Sequence, residues 1–314
     1  MADPRPTTNE PAIEADPELT TDESDSTLGD DVSCYTASLT SSIQRYPVEN
    51  NRRYHAYKDG SYILPNDEAE LDRLDVTHQK LKILLQDKLL RCPVQNPGRV
   101  LDVGTGTGIW AIEYGDDHPD TEILGTDLSP TQPSWVPPNV KFEVDDCEEP
   151  WTFRDKFDVI HARYLATAIA DWPTLVSQAF QFTKPGGYSE FQDYDLVYYS
   201  EDGTLTDDLA IQKWITILLQ AARDFGRDPC PGPRLAGLMR DAGFQNKTVG
   251  AWNLVQIEDG LEAFTLRLFT QVLGWKSDEV QVLLANVRKD LRNPKIHAQF
   301  DFFVAYGQKP MDAS

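Results

Sequence analysis

Basic residues are scarce in this chain: 314 residues carry 29 Lys and Arg against 51 Asp and Glu, a formal net charge of -22. Gripping a nucleic acid by its phosphates needs clustered lysines and arginines, so no nucleic-acid substrate is expected. Cysteine is sparse too. Cys34, Cys92, Cys147 and Cys230 stand far apart with no C-x-x-C pair, which argues against zinc and disulfide frameworks and suits reduced thiols in the cytosol or nucleus. No metal site is expected. A membrane-spanning helix needs about 18 or more apolar residues, and the most apolar helical stretch, ITILLQAA from Ile215, is far shorter. The N-terminus is acidic rather than a basic, apolar leader, so a cytoplasmic protein without a membrane partner is expected. No internal repeat occurs, which excludes a solenoid.

What is present suffices for one α/β core, with 40% hydrophobic residues and length left for a cap and a tail. Residues 1–50 hold eleven acids and two arginines and are rich in Thr, Ser, Pro and Asp. Such a segment buries too little surface to offset its ordering entropy, so residues 1–43 are expected to be a disordered acidic tail, open to protein partners. Residues 44–96 read as N-terminal cap or lid helices, 97–310 as the main domain with helical insertions, and 311–314 as a short tail. Within the cap, Pro65-Asn66 starts a helix predicted to run to Leu90, with Leu71, Leu74, Leu81 and Leu85 on one stripe. His78 shares that stripe and reads as a core histidine.

After Pro97-Gly98 the pattern alternates. RVLDV, EILGTD, KFEVDD, FDVIHARY, GGYSEFQ and FDFFVAYGQ read as strands, GIWAIEYGDD and Trp172 to Phe182 as helices, and residues 205–224 and 261–291 as further helical stretches. This alternation predicts a Rossmann-like, doubly wound, mostly parallel α/β sheet.

Val100-Leu101-Asp102-Val103 runs into Gly104-Thr105-Gly106-Thr107-Gly108, a strand entering a glycine turn that opens a helix. Glycines there admit backbone conformations closed to other residues and let a ligand approach the main chain. Asp127 ends the next strand, nineteen residues beyond Gly108, where an acid accepts the ribose hydroxyls of an adenosine. Two details favour S-adenosyl-L-methionine over a dinucleotide. Ile109 stands where G-x-G-x-x-G wants its third glycine, and Asp102 would repel a pyrophosphate but suits an amino group and a sulfonium.

Cofactor contact is expected at Asp102, Gly104, Thr105, Gly106, Gly108, Asp127 and the following Leu128. Asp145-Asp146-Cys147 follows KFEV, where either acid accepts the adenine amino group or is a solvated turn residue. The strand FDVI ends at His161, which is either a general base or a shaper of the pocket wall; Arg163 reads as a structural ion-pair partner. Glu190, at the end of its own strand, either faces the acceptor or caps a helix. Tyr54, Tyr57, Tyr62, Trp110 and Trp135 are aromatics available to line a small-molecule pocket, Trp110 more readily as core. No N-P-P-Y type segment follows the fourth strand, which speaks against methylation of an exocyclic base nitrogen.

The stretches YHAYKDGSYILPNDEAELDRLDVTH, RVLDVGTGTGIWAIEYGD, GTDLSPTQPSWVPPNVKFEVDDCEEPWTF, FDVIHARYL, KPGGYSEFQDYD and LRLFTQVLGW make residues 54–310 resemble the fungal LaeA-like, or TAM-domain, class I methyltransferases. The resemblance implies a seven-stranded sheet with its last strand antiparallel, S-adenosyl-L-methionine held at Gly104, Gly106, Asp127 and Asp146, and a segment around Tyr62 closing over the site. It also implies a place in fungal secondary metabolism, either methylating a small-molecule intermediate or, as LaeA itself does, regulating from the nucleus through protein partners. The chain departs from the family after AGFQNKTV, passing almost at once to GAWNLVQIEDGLEAF where similar proteins carry a longer P-x-G-x-W stretch. The sixth strand is left open by the sequence.

Overall fold

The computed structural model describes residues 45–58, 60–255 and 260–313, with residues 246, 247, 249 and 252–255 described in backbone only. The expected acidic tail, residues 1–43, lies outside them. A short hairpin, β1 (Val48–Glu49) and β2 (Arg52–Arg53), precedes helix α1 (Glu68–Leu84). Where several cap helices were expected before residue 97, the described segment holds one helix and this hairpin. Asp67 caps α1 by accepting from the Glu70 amide at 3.1 Å. The helix ends short of the predicted Leu90 because Gln86 and Asp87 both turn left-handed, at φ 58°.

The main sheet follows: β3 (Arg99–Val103), α2 (Ile109–Asp117), β4 (Glu122–Asp127), β5 (Val140–Val144), β6 (Phe157–Arg163), α3 (Trp172–Phe182) and β7 (Thr183–Tyr199). Then come α4 (Ala210–Asp224), α5 (Leu235–Ala242), β8 (Gln245–Val255), α6 (Leu261–Arg267), α7 (Ser277–Leu291) and β9 (Gln299–Gln308). The seven strands lie in the order β5-β4-β3-β6-β7-β9-β8. Strands β3 to β7 pair in parallel, and β9 runs antiparallel between β7 and β8. The open question of a sixth strand is thereby answered: β8 pairs with β9, with a register shift between Gln245 and Thr248, despite the short connection that follows. The predicted 261–291 helix is broken by a π-helical turn at Leu268–Val272 and by Gly274, left-handed at φ 71°.

Alternation along the strands sorts the core. Val100, Ile123 and Val159 pack on Trp110, Ala111 and Tyr114 of α2, whereas their neighbours Leu101, Leu124 and Ile160 pack on Trp172, Leu175 and Val176 of α3. Asp102 and His161 fall on the α2 side by the same parity. They are register partners across β3 and β6. Chain order reverses between those two strands, and in open α/β sheets the crevice at their carboxyl ends is where ligands bind.

A third cluster joins α4, α6 and α7 to Leu196, Tyr198 and Phe300, and takes in Ile63 and Leu64 from the segment before α1. Burying each of those two side chains contributes roughly 1.5–3 kcal/mol, which anchors the cap segment beside the crevice.

Candidate active site

The glycine turn places three left-handed residues after β3: Gly104 at φ 66°, Gly106 at φ 59° and Gly108 at φ 79°. The Thr105 amide donates to the Thr126 carbonyl at 2.9 Å, tying the turn to the end of β4. The three positions differ in what a β-carbon would meet. At Gly104 it would lie 2.5 Å from Leu165 Cδ2, at Gly108 2.5 Å from Phe142 Cζ, but at Gly106 nothing comes nearer than Leu74 Cδ1 at 3.6 Å. Gly106 thus borders open space, whereas Gly108 is packed against β5 and does not line the cavity, which corrects its expected role at the cofactor. Gly108→Ala is expected to cost about 2–4 kcal/mol of stability, from left-handed strain and overpacking together. Thermal unfolding measures it, and a midpoint equal to that of the natural chain would contradict the assignment.

The crevice is a cavity of about 1220 Å³, open mouth included. Of the residues expected from the sequence, Tyr62, Asp102, Gly104, Thr105, Gly106, Asp127, Leu128, Asp145, Asp146, Cys147 and His161 all line it. At its first end Asp127 accepts from the amides of Gly106 at 2.8 Å and Ser129 at 2.9 Å. Burial outweighs these bonds and pushes the Asp127 carboxyl up to about 6, and no cation among the described residues pairs with it to hold it lower. Asp146 is nine-tenths buried, accepts from the Glu148 amide at 2.9 Å and pairs with Lys58 at 2.8 Å. Lys58, which also bonds Glu149, comes from the cap segment, so the cap is latched to the rim at this point.

At the centre, Asp102 joins two groups. Its Oδ1 lies 2.7 Å from His161 Nδ1 and its Oδ2 accepts from the Thr105 hydroxyl at 2.6 Å. His161 is fully buried and lies flat against Trp110, ring centroids 3.9 Å apart. With Nδ1 donating to Asp102, Nε2 is the atom left to accept a proton, and it has no hydrogen-bond partner among the described residues.

Glu190 neighbours His161 in register but does not line the cavity. Its carboxylate accepts from the amides of Arg91, at 2.8 Å, and Cys92, at 2.6 Å, and from Gln192 Nε2 at 2.7 Å. Both readings, facing the acceptor and capping a helix, are corrected: it ties the loop after α1 to the sheet. Among the aromatics, Tyr62 and Trp110 line the cavity, Trp110 while also serving as core. Tyr54 is buried beneath Arg267, 4.3 Å from the ring centroid, and Trp135 is 92% exposed. Neither of those two reaches the site.

Sequence reasoning missed part of the wall. Tyr164 lines the cavity in a left-handed conformation, φ 59°, that bulky residues seldom adopt. Asp193 holds that turn by accepting from the amides of Leu165 and Ala166 at 2.7 and 2.8 Å, and burial raises its carboxyl to about 7. No local pattern announces such a turn. Asn66 joins the cap to the rim through Ser129 Oγ at 3.1 Å. Arg163, read as an ion-pair partner, lines the cavity and has no carboxylate within salt-bridge distance among the described residues. His78 is buried as expected, but its Nδ1 accepts from Arg163 at 2.8 Å.

A crevice at the carboxyl ends of β3, β4 and β5, with a glycine turn on one side and a histidine held by an aspartate on the other, belongs to a sheet of the class I methyltransferase fold. Comparison with known proteins agrees. Residues 78–249 match the family described as a methyltransferase domain. The chain is 44% identical over 304 residues to methyltransferase pytC of Aspergillus terreus, covering 90% of this chain and 93% of that one. It is 34% identical to the secondary metabolism regulator LAE1 of Cochliobolus heterostrophus, over 84% of this chain and 94% of its relative. A similar regulator, laeA of Monascus pilosus, is 33% identical over 87% and 81%. The chain belongs to the fungal LaeA-like methyltransferases and is an S-adenosyl-L-methionine-dependent enzyme.

The residues present fit that cofactor. A half-buried carboxylate with no cation paired to it among the described residues, Asp127, suits hydroxyl donors, and the space a Gly106 β-carbon would fill leaves room for a ligand against the main chain. Ribose hydroxyls donate to the ionised form, so binding should lower the Asp127 pKa and release a proton near pH 6. Affinity for S-adenosyl-L-homocysteine is therefore expected to fall as pH drops from about 7 to about 5. For the free protein the sign is opposite: the stability that goes with a raised carboxyl pKa is present at low pH and lost as pH rises through about 6. Asp127→Asn should weaken binding by about tenfold or more and flatten the profile. Calorimetry in buffers of different ionisation heat reads the proton release; binding by the natural chain that ignores pH would count against the ribose assignment.

Proposed function

We propose that this chain transfers the methyl group of S-adenosyl-L-methionine to a hydroxyl of a small molecule in fungal secondary metabolism. When bound, the cofactor supplies an electrophilic methyl on a sulfonium. Asp127 and the backbone at Gly106 hold the adenosine, Asp146 and Cys147 border the adenine, and Tyr62 covers the site from the cap. The observation that carries the proposal is the Asp102–His161 pair: the carboxylate fixes the ring through Nδ1 and leaves Nε2 unbonded, as a general base for a hydroxyl requires. A displacement at a methyl group draws much of its rate from alignment, and stacking on Trp110 keeps the imidazole from turning. A small acceptor rather than a polyanion suits a cavity bordered by Asp145, Asp146 and Glu148.

Likeness to two proteins named as regulators supports a second reading, in which the protein acts in the nucleus through partners, the acidic N-terminal segment among the surfaces it would use. Metabolite profiling of a deletion strain separates the two. Under the first reading one compound accumulates lacking a single methyl group; loss of many unrelated compounds would favour the regulator.

A further inference from the structure

Arg163 ends β6 at the edge of the cavity, and its surroundings are those of a cation waiting for an anion. It donates from Nη2 to His78 Nδ1 at 2.8 Å and lies over the Tyr164 ring, 5.8 Å from its centroid. A guanidinium only donates, so His78 Nδ1 accepts and the proton of that ring sits on Nε2, 3.1 Å from Glu113 Oε2. Glu113 is already shared with Lys82 at 2.8 Å and Gln79 at 3.2 Å. Asp102, whose charge reaches Arg163 through space, gives its two oxygens to His161 and Thr105. Glu70, the other carboxylate on the cap side of the cavity, is bound two-fold by Arg73 at 2.9 and 2.6 Å. Each of these three acids is thus committed to another group. Burial prevails over these distant attractions and pulls the guanidinium below its usual pKa. Arg163 is part-buried in the cavity wall, a charge withdrawn from water in this way is ordinarily paired, and an Arg fork matches a carboxylate with two parallel bonds.

We propose that Arg163 is a carboxylate-binding residue of this cavity, held in place by His78 and paired by the ligand rather than by the protein. The inference rests on the cavity being the cofactor site. Two sources carry the required group: the amino-acid end of the cofactor and an acidic acceptor. The bond to Arg163 suits a neutral His78 at a buried position: its lone pair orients the guanidinium without adding a second charge.

Calorimetry on the full-length chain tests this with two ligands that share an adenosine thioether, S-adenosyl-L-homocysteine, which has the amino-acid carboxylate, and 5′-methylthioadenosine, which lacks it. If the cofactor is the source, Arg163→Gln weakens the first at least about tenfold and the second less than about twofold, and Arg163→Lys recovers part of the loss. If the acceptor is the source, both variants bind both nucleosides as the natural chain does, and benzoate binds the homocysteine complex of the natural chain but not that of Arg163→Gln. Equal weakening of both nucleosides, or no change in either with no difference in benzoate binding, overturns the proposal. A natural chain that binds neither nucleoside overturns the cofactor reading itself, and this inference with it.

Discussion

His161→Ala is expected to lower turnover about 100-fold or more while leaving affinity for S-adenosyl-L-homocysteine nearly intact. The ring is fully buried between Asp102, at 2.7 Å, and the face of Trp110, at 3.9 Å between centroids, so it is rigid before any ligand arrives. Its unbonded Nε2 is the feature that separates a base from a mere wall. His161→Asn provides the contrast, because it retains a polar group in the wall without a basic ring nitrogen. If His161 only shapes the cavity, the asparagine variant keeps most of the activity. If it accepts the proton, both variants fall together and partial activity returns with rising pH, as an acceptor hydroxyl ionises unaided. Turnover is measured on the compound that the deletion strain accumulates, and cofactor affinity by calorimetry. Parallel losses in turnover and in cofactor affinity would return His161 to the cofactor wall.

Gly106→Val should raise the dissociation constant for S-adenosyl-L-homocysteine by about 100-fold or more, equivalent to ~2.7 kcal/mol, while the protein stays folded. A β-carbon at this position has no protein atom nearer than 3.6 Å, so the branched side chain would occupy cavity space rather than the core. The left-handed φ of 59° adds strain of about 1–2 kcal/mol, which lowers the melting temperature without abolishing the fold. Circular dichroism and calorimetry read the two effects separately. Gly108→Ala is the counterpart, with its effect on stability because Phe142 is only 2.5 Å from the added atom. A Gly106→Val variant that folds and binds normally would place the cofactor elsewhere.

The alternating strands and the glycine turn were legible because their causes are local. RVLDV and EILGTD match β3 and β4 residue for residue, and the helix from Trp172 to Phe182 matches α3, since Asp171 caps it and Pro173 lies in its first turn. Gln86 and Asp87 carry no such signal: each adopts a left-handed conformation that ends α1 early, and nothing in the residue type demands it.

Strand order, parity and charge pairing divide what the sequence determined from what the tertiary structure decided. Asp102, Asp127 and His161 were recognisable one strand at a time, because a polar residue ending an apolar strand is conspicuous. That Asp102 and His161 share a face, and that the aspartate grips the imidazole, depends on β3 lying beside β6 across a crossover of more than fifty residues. Glu190 looked equivalent to His161 at the sequence level and sits beside it in register, yet backbone amides from the loop after α1 claim its carboxylate. Arg163 reversed in the other direction, from expected ion-pair partner to a cation without a carboxylate among the described residues, because the acids around it are bound by Lys82, Arg73, His161 and Thr105. Local composition determines which residues can carry charge into a cavity; only the packed chain decides which of those charges remain for a ligand, since hydrogen bonding is exclusive and its partners come from segments remote in sequence.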